Sequence, residues 1–170
     1  MFISCVYGVK RGGRVIKTMN CTELALKEFL VRAKINTYAG DGVLSVSSRP
    51  NSKDLHYGEG DLLYIDSYFG SADFIGEEVV FENQKPIWGM NYYGKMLVDE
   101  IPSGFSKCLK SALKAVPVEN PFRGPALFEQ DKFVYKCSWQ GDISEFNGNE
   151  AIYFDGIEIY RLSFHGGYIK

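Results

Sequence analysis

Apolar and polar positions alternate with two different periods along this chain, and the switch between them sets out its elements. Leu26, Phe29, Leu30 and Ala33 recur at the helical spacing, so residues 21–34 are predicted to form an amphipathic helix with Asn20 as its cap. Phe105, Cys108, Leu109, Ala112, Leu113 and Val116 form a second apolar stripe. It predicts a helix over 103–116, capped by Ser103 and stopped by Pro117, with Lys107, Lys110 and Lys114 facing water. Elsewhere the period is two. Residues 62–69 read as a strand, and 43–47 as a short one. Residues 79–81 and 87–93 read as the arms of a hairpin, with Pro86 at a strand start. Towards the end, 132–139, 142–146, 150–154 and 157–164 read as strands. Asn147-Gly148 and Asp155-Gly156 are the turn signals that separate them.

Strands joined by short turns pair antiparallel, and no βαβ alternation or internal repeat is visible in the sequence. The expected fold is α+β: one curved antiparallel sheet of about six to eight strands with two helices packed on one face. Residues 19–170 are read as a single domain. Residues 1–18 are an N-terminal extension, with two readings. Either they add an edge strand, Phe2, Ser4 and Val6 alternating with Ile3, Cys5 and Tyr7, or they are a non-native leader translated upstream of a start at Met19.

Composition narrows the class. With 45% hydrophobic and 24% charged residues the chain has the balance of an ordinary globule. Its 11 Tyr and 12 Phe favour a sheet-rich fold. The net charge is −2 with no basic stripe, which argues against direct nucleic-acid binding. No apolar run is long enough to span a membrane as a helix. The four cysteines, Cys5, Cys21, Cys108 and Cys137, are widely spaced and form no CxxC pair. They are expected as buried thiols in a reduced, cytoplasmic compartment.

No motif spells a reaction. The glycines match neither dinucleotide nor P-loop spacing, GxSxG is absent, and the two histidines have no metal-ligand spacing, so no cofactor and no metal site are expected. The polar–aromatic strands are the place to look. Asp66 sits mid-strand, where Asp is disfavoured, on the same face as Tyr64 and Tyr68. That face is either solvated or the wall of a polar site. Glu77-Glu78 reads as exposed. Trp88, Asn91, Tyr92 and Tyr93 would extend such a wall, with Arg49, His56, Arg123 and His165 reaching in from loops. In an enzyme, His56 or His165 would pair with Asp66 as acid and base, for a hydrolase or lyase; a Cys137–His165 nucleophile pair is the weaker variant. A third option is a protein-interaction module or homodimer working through an exposed sheet edge.

Several stretches resemble a bacterial family of uncharacterised domains. They include Asp54-Leu55-His56-Tyr57, Tyr64-Ile65-Asp66-Ser67-Tyr68, Gly76-Glu77-Glu78-Val79-Val80, Trp88-Gly89-Met90-Asn91-Tyr92-Tyr93-Gly94, Phe122-Arg123-Gly124-Pro125 and Phe164-His165-Gly166-Gly167. The resemblance runs from Glu23 to Lys170. Domains of that family occur alone and also fused behind an Xre-type helix-turn-helix. The resemblance therefore implies a standalone relative of a regulator's sensing part, binding a small molecule, and assigns no chemistry.

Overall fold

A computed structural model describes residues 21–170; the N-terminal extension and the Asn20 cap lie outside them. The elements run α1 (Cys21–Asn36), a short 3-10 turn (Tyr38–Gly40), β1 (Lys53–Glu59), β2 (Leu62–Gly70), β3 (Phe74–Glu82), β4 (Lys85–Met96), α2 (Phe105–Lys114), β5 (Leu127–Gln130), β6 (Phe133–Asp142), β7 (Glu145–Phe154) and β8 (Ile157–Tyr168). The strands form one open antiparallel sheet of eight in the order β1-β2-β3-β4-β8-β7-β6-β5. Two meanders of consecutive strands are joined by the β4–β8 ladder, with β1 and β5 as the outermost strands among the described residues.

One sheet face carries the core. Tyr64, Val80, Trp88, Met90, Tyr135, Ile152, Tyr160, Leu162 and Phe164 are buried on it. Helix α1 reaches this core through Phe29, whose ring meets Tyr57 at 5.8 Å, and α2 through Phe105, 5.4 Å from Tyr160. Cys108 and Cys137 are free and buried, as expected of small apolar thiols.

The two meanders are a repeat that the sequence reading missed. Glu78 on β3 corresponds to Glu150 on β7, Tyr64 on β2 to Tyr135 on β6, and Phe74 to Phe146. Both halves carry a register shift at the same place, between Val80 and Phe81 and between Ile152 and Tyr153. The positive φ of Gly70 (95°) recurs at Gly141 (89°), and that of Asn83 (50°) at Asp155 (48°). Tyr92 pairs with its own counterpart, Phe164, so a pseudo-dyad passes between them. Even the close approaches repeat. A Cβ on Gly76 would strike Tyr92, and one on Gly148 would strike Phe164. Few identical residues survive between the halves, and shared backbone geometry carries the likeness.

Other expectations change as well. Residues 43–47 are not a strand. Ser45 bonds the Asp54 carbonyl at 2.7 Å, and Val43 and Val46 stay exposed with no layer to cover them. Residues 53–59, too charged to stand out, are β1. Helix α2 begins at Phe105 after Gly104 in a left-handed conformation (φ 95°), without a side-chain cap from Ser103. Asn147-Gly148 is no turn but lies inside β7, where Gly148 makes room for the Phe164 ring. Gly148→Ala is accordingly expected to cost about 1–3 kcal/mol through overpacking, read as a lowered thermal midpoint.

Candidate functional site

Polar side chains are placed at regular intervals on the otherwise apolar inner face. Asp66 on β2 pairs in register with Glu78 on β3, and both are buried. Burial of carboxylates demands partners. Lys34, on the last turn of α1, forms an ion pair with Glu78. Arg123, in the segment before β5, grips Glu150 with two bonds (Nε to Oε2 3.0 Å, Nη2 to Oε1 3.1 Å). Its third nitrogen, Nη1, lies 4.0 Å from Glu78. Tyr135 and Tyr160 also donate to Glu150, at 2.6 and 3.0 Å. The Tyr135 oxygen in turn accepts from the Gly124 N–H at 2.8 Å, fixing the loop that delivers Arg123.

Asp66 stands apart. Its hydrogen bond among the described residues comes from the Tyr92 hydroxyl, at 2.6 Å. It lines a cavity of about 180 Å³. Tyr68 and Phe74 come to this cavity from the sheet, Tyr38 from the 3-10 turn, Leu109 from α2, and Arg123 from its loop. The rim includes the exposed Gly70, at the end of β2, and Ser71 just after it, and Lys53, whose ammonium donates to the Gly70 carbonyl at 3.1 Å. The walls are locked by ring packing: Tyr38 meets Tyr68 edge-on at 6.1 Å, and Phe74 meets Tyr92 at 6.0 Å. A second hollow of about 20 Å³ adjoins it, sharing Tyr38, Asp66 and Arg123 and reaching Lys34 and Glu78. That is about the space one water needs.

The electrostatics follow from burial and the count of charges. Burial, then the neighbouring Glu78 charge, push the Asp66 carboxyl up to about 7, against the pull of Tyr92, Lys34 and Arg123. Burial lowers Lys34 even with Glu78 beside it. Burial opposes the Arg123 charge as well, but Glu150 overrides it and holds the guanidinium firmly protonated. Tyr64, Tyr92, Tyr135 and Tyr160 are all raised by burial and then by a nearby carboxylate, so they act as donors and stay neutral.

The residues expected at a site divide by sheet face. Tyr64, Asp66, Tyr92 and Arg123 come together on the inner face, with Asp66, Tyr92 and Arg123 lining the cavity itself. Asp66 is 4% exposed, so its face is not the solvated one. Trp88 is inner too, but it is sealed in the core, stacked on Phe146 and bonded to the Ile143 carbonyl at 3.1 Å. Asn91, Tyr93 and His165 are exposed on the outer face, where Asn91 pairs with His165. His56 is exposed there too, opposite Ile65. Arg49 is also outer. It donates to the Ser67 hydroxyl at 2.6 Å and covers the Phe69 ring, tying its loop to the sheet. Neither imidazole shares a face with Asp66, so the expected acid–base pair does not form. Cys137 lies on the inner face, away from His165, and burial, then Glu150, push its thiol up to about 12. Both features remove the nucleophile pair.

Residues that sequence reasoning passed over are Lys34, Glu78, Glu150, Tyr38 and Lys53. Glu78 read as exposed because it follows Glu77. The period of two in β3 would have put Glu78 with Val80 on the core side and Glu77 opposite. Among the described residues no group of three His, Cys, Asp or Glu is placed to hold a metal ion, and no helix is long and apolar enough to cross a membrane.

Comparisons with known proteins place the chain by family. No curated protein matches it, and no solved structure does. One family model matches residues 66–169, from Asp66 itself through the whole of β8, and includes both buried glutamates. On that match the chain belongs to the family described as Domain of unknown function (DUF5680).

Proposed function

We propose that this chain is a small-molecule-binding module of the sensing kind, with the cavity beside Asp66 as its receptor site. The observation that carries this is a hollow of about 180 Å³ walled by aromatic rings and holding one buried carboxyl that the ion pairs leave over. A dry cavity of about 150 Å³ accepts benzene, so the space suits a ligand built on about one ring. In this reading α1 and α2 lie over the same face of the sheet and roof the site. The family resemblance supports a sensing role, the module working in a bacterial cytoplasm as the effector-binding relative of a transcriptional regulator and touching no nucleic acid itself.

The test is a fragment screen by ligand-observed NMR and thermal shift on the wild type and on Ser71→Trp. Ser71 is an exposed rim residue, so an indole there is chosen to block the hollow from its mouth, and circular dichroism checks that the variant is folded. A ligand that binds only the folded state raises its midpoint, by about 2.7 kcal/mol equivalent at a hundredfold excess over Kd. Fragments are expected to bind the wild type and lose binding in Ser71→Trp. A screen with no hit, or hits indifferent to Ser71→Trp, removes the site.

A further inference from the structure

We propose, resting on the ligand-binding reading above, that the cavity takes a small organic cation: an ammonium or amidinium group on a body of about one ring, with Asp66 as its counter-ion.

The molecule supplies its own internal control. The two halves of the sheet share a buried tyrosine and a buried glutamate at matching places, Tyr64 with Glu78 and Tyr135 with Glu150. Each glutamate has a cation, Lys34 for the first and Arg123 for the second. That set is architecture, because both halves need it. Asp66 has no such echo. Its counterpart is Cys137, an inert buried thiol, and the counterpart of its donor Tyr92 is Phe164. The first half therefore carries an added polar pair, Asp66 with Tyr92, on a frame that folds without one in the second half. The added pair is also the one that lines the cavity, and the second half places Cys137 and Phe164 in the core instead.

The charges give the sign of the ligand. Two buried cations, Lys34 and Arg123, face three carboxylates, Asp66, Glu78 and Glu150. Arg123 is held in a bidentate grip by Glu150, and Lys34 by Glu78, which leaves Asp66, among the described residues, as the carboxylate of the three without a cation of its own. The walls fit the same sign. Tyr38, Tyr68, Phe74 and Tyr92 line the hollow, and the faces of aromatic rings attract cations. Such rings are already used this way here: Lys53 sits over Tyr68 at 5.4 Å and Arg123 over Tyr92 at 5.6 Å. Lys53 is a half-exposed rim group, and an incoming ammonium would displace it towards water.

Binding of a cation selects the ionised carboxyl, so affinity should rise with pH as Asp66 gives up its proton. The groups facing Asp66 are Tyr92 from β4, Glu78 from β3, Tyr64 and Tyr68 from β2, Lys34 from α1, Tyr38 from the 3-10 turn, and Arg123. Of these, Glu78 is the anion set directly opposite Asp66 in the β2–β3 register.

The experiment titrates benzylamine, benzamidine, benzyl alcohol and benzoate by NMR shift perturbation at pH 8 and pH 5.5. It uses the wild type, Asp66→Asn, and the double variant Asp66→Cys/Tyr92→Phe, which writes the second half's residues into the first. Expected are a preference of about tenfold or more for the two cations over benzyl alcohol at pH 8, a loss of that preference at pH 5.5, and its absence in both variants. Circular dichroism confirms that the variants are folded. Equal binding of benzylamine and benzyl alcohol, or a preference for benzoate, overturns the cation inference and leaves the cavity as a binding site. Failure of all four probes to bind the wild type overturns the inference and counts against the site as well.

Discussion

Glu150→Ala is expected to lower stability by about 3–5 kcal/mol, enough to unfold a domain of ordinary stability. Glu150 is fully buried and accepts from Arg123 twice, from Tyr135 and from Tyr160. Its removal leaves a guanidinium charge in the core with Glu78, 4.0 Å off, as the nearest anion, and strips two phenols of their acceptor. Breaking a buried pair costs far more than the pair contributes, because the orphaned charge keeps its desolvation penalty. The measurement is the urea midpoint of Glu150→Ala against that of Arg123→Met/Glu150→Leu. The double variant, with both charges gone, should recover much of the loss. A single variant within about 1 kcal/mol of wild type would show that the cluster is not a keystone of the fold.

Asp66→Asn is expected to do the opposite at neutral pH and to change the shape of the stability curve. The folded carboxyl is raised from 3.8 to about 7, so the folded state holds the proton more tightly than the unfolded chain. Stability from this group is then fully present below pH 3.8 and is lost as pH rises to about 7. The difference in unfolding free energy, wild type minus Asp66→Asn, should fall by about 3–4 kcal/mol between pH 4 and pH 8. Asparagine retains an acceptor for Tyr92 and carries no charge to desolvate. Urea titrations of both proteins across that range give the difference directly, with all other titrations cancelling. A pH-independent difference would mean that the folded carboxyl binds protons no more tightly than the unfolded one, so that Asp66 is ionised across the range in both states.

How much of this was legible in the sequence depends on whether the signal was local. Strand β2, the helix α2 stripe and the turn at Asp155-Gly156 follow from local periods and turn chemistry, and they stand within a few residues of where those put them. Burial of Asp66 was one of two readings of the same alternation, because period two says which residues share a face and not which face is covered. Asn91, Tyr93 and His165 show the same limit: they alternate properly with the inner residues and stand on the outer side. Asn147-Gly148 reads as a turn from its two residues alone. Its place inside β7 is set by Phe164 on the neighbouring strand, information that no local window contains. The repeat was hidden for a related reason. Bulges, left-handed positions and strand register are shared between the halves, while the side chains on them have diverged.

The wiring of the sheet has a consequence for how the polypeptide assembles. Among the described residues, six of its seven ladders are hairpins between consecutive strands, and one, β4 with β8, joins distant parts of the chain. Short loops close quickly and long ones slowly. The first meander can thus form early, with the unpaired rim of β4 waiting for β8, the last strand of the sheet, to zip onto it. Through that interval β4, with Trp88, Met90 and Tyr92 not yet enclosed, is the stretch of this molecule most open to pairing with the wrong neighbour.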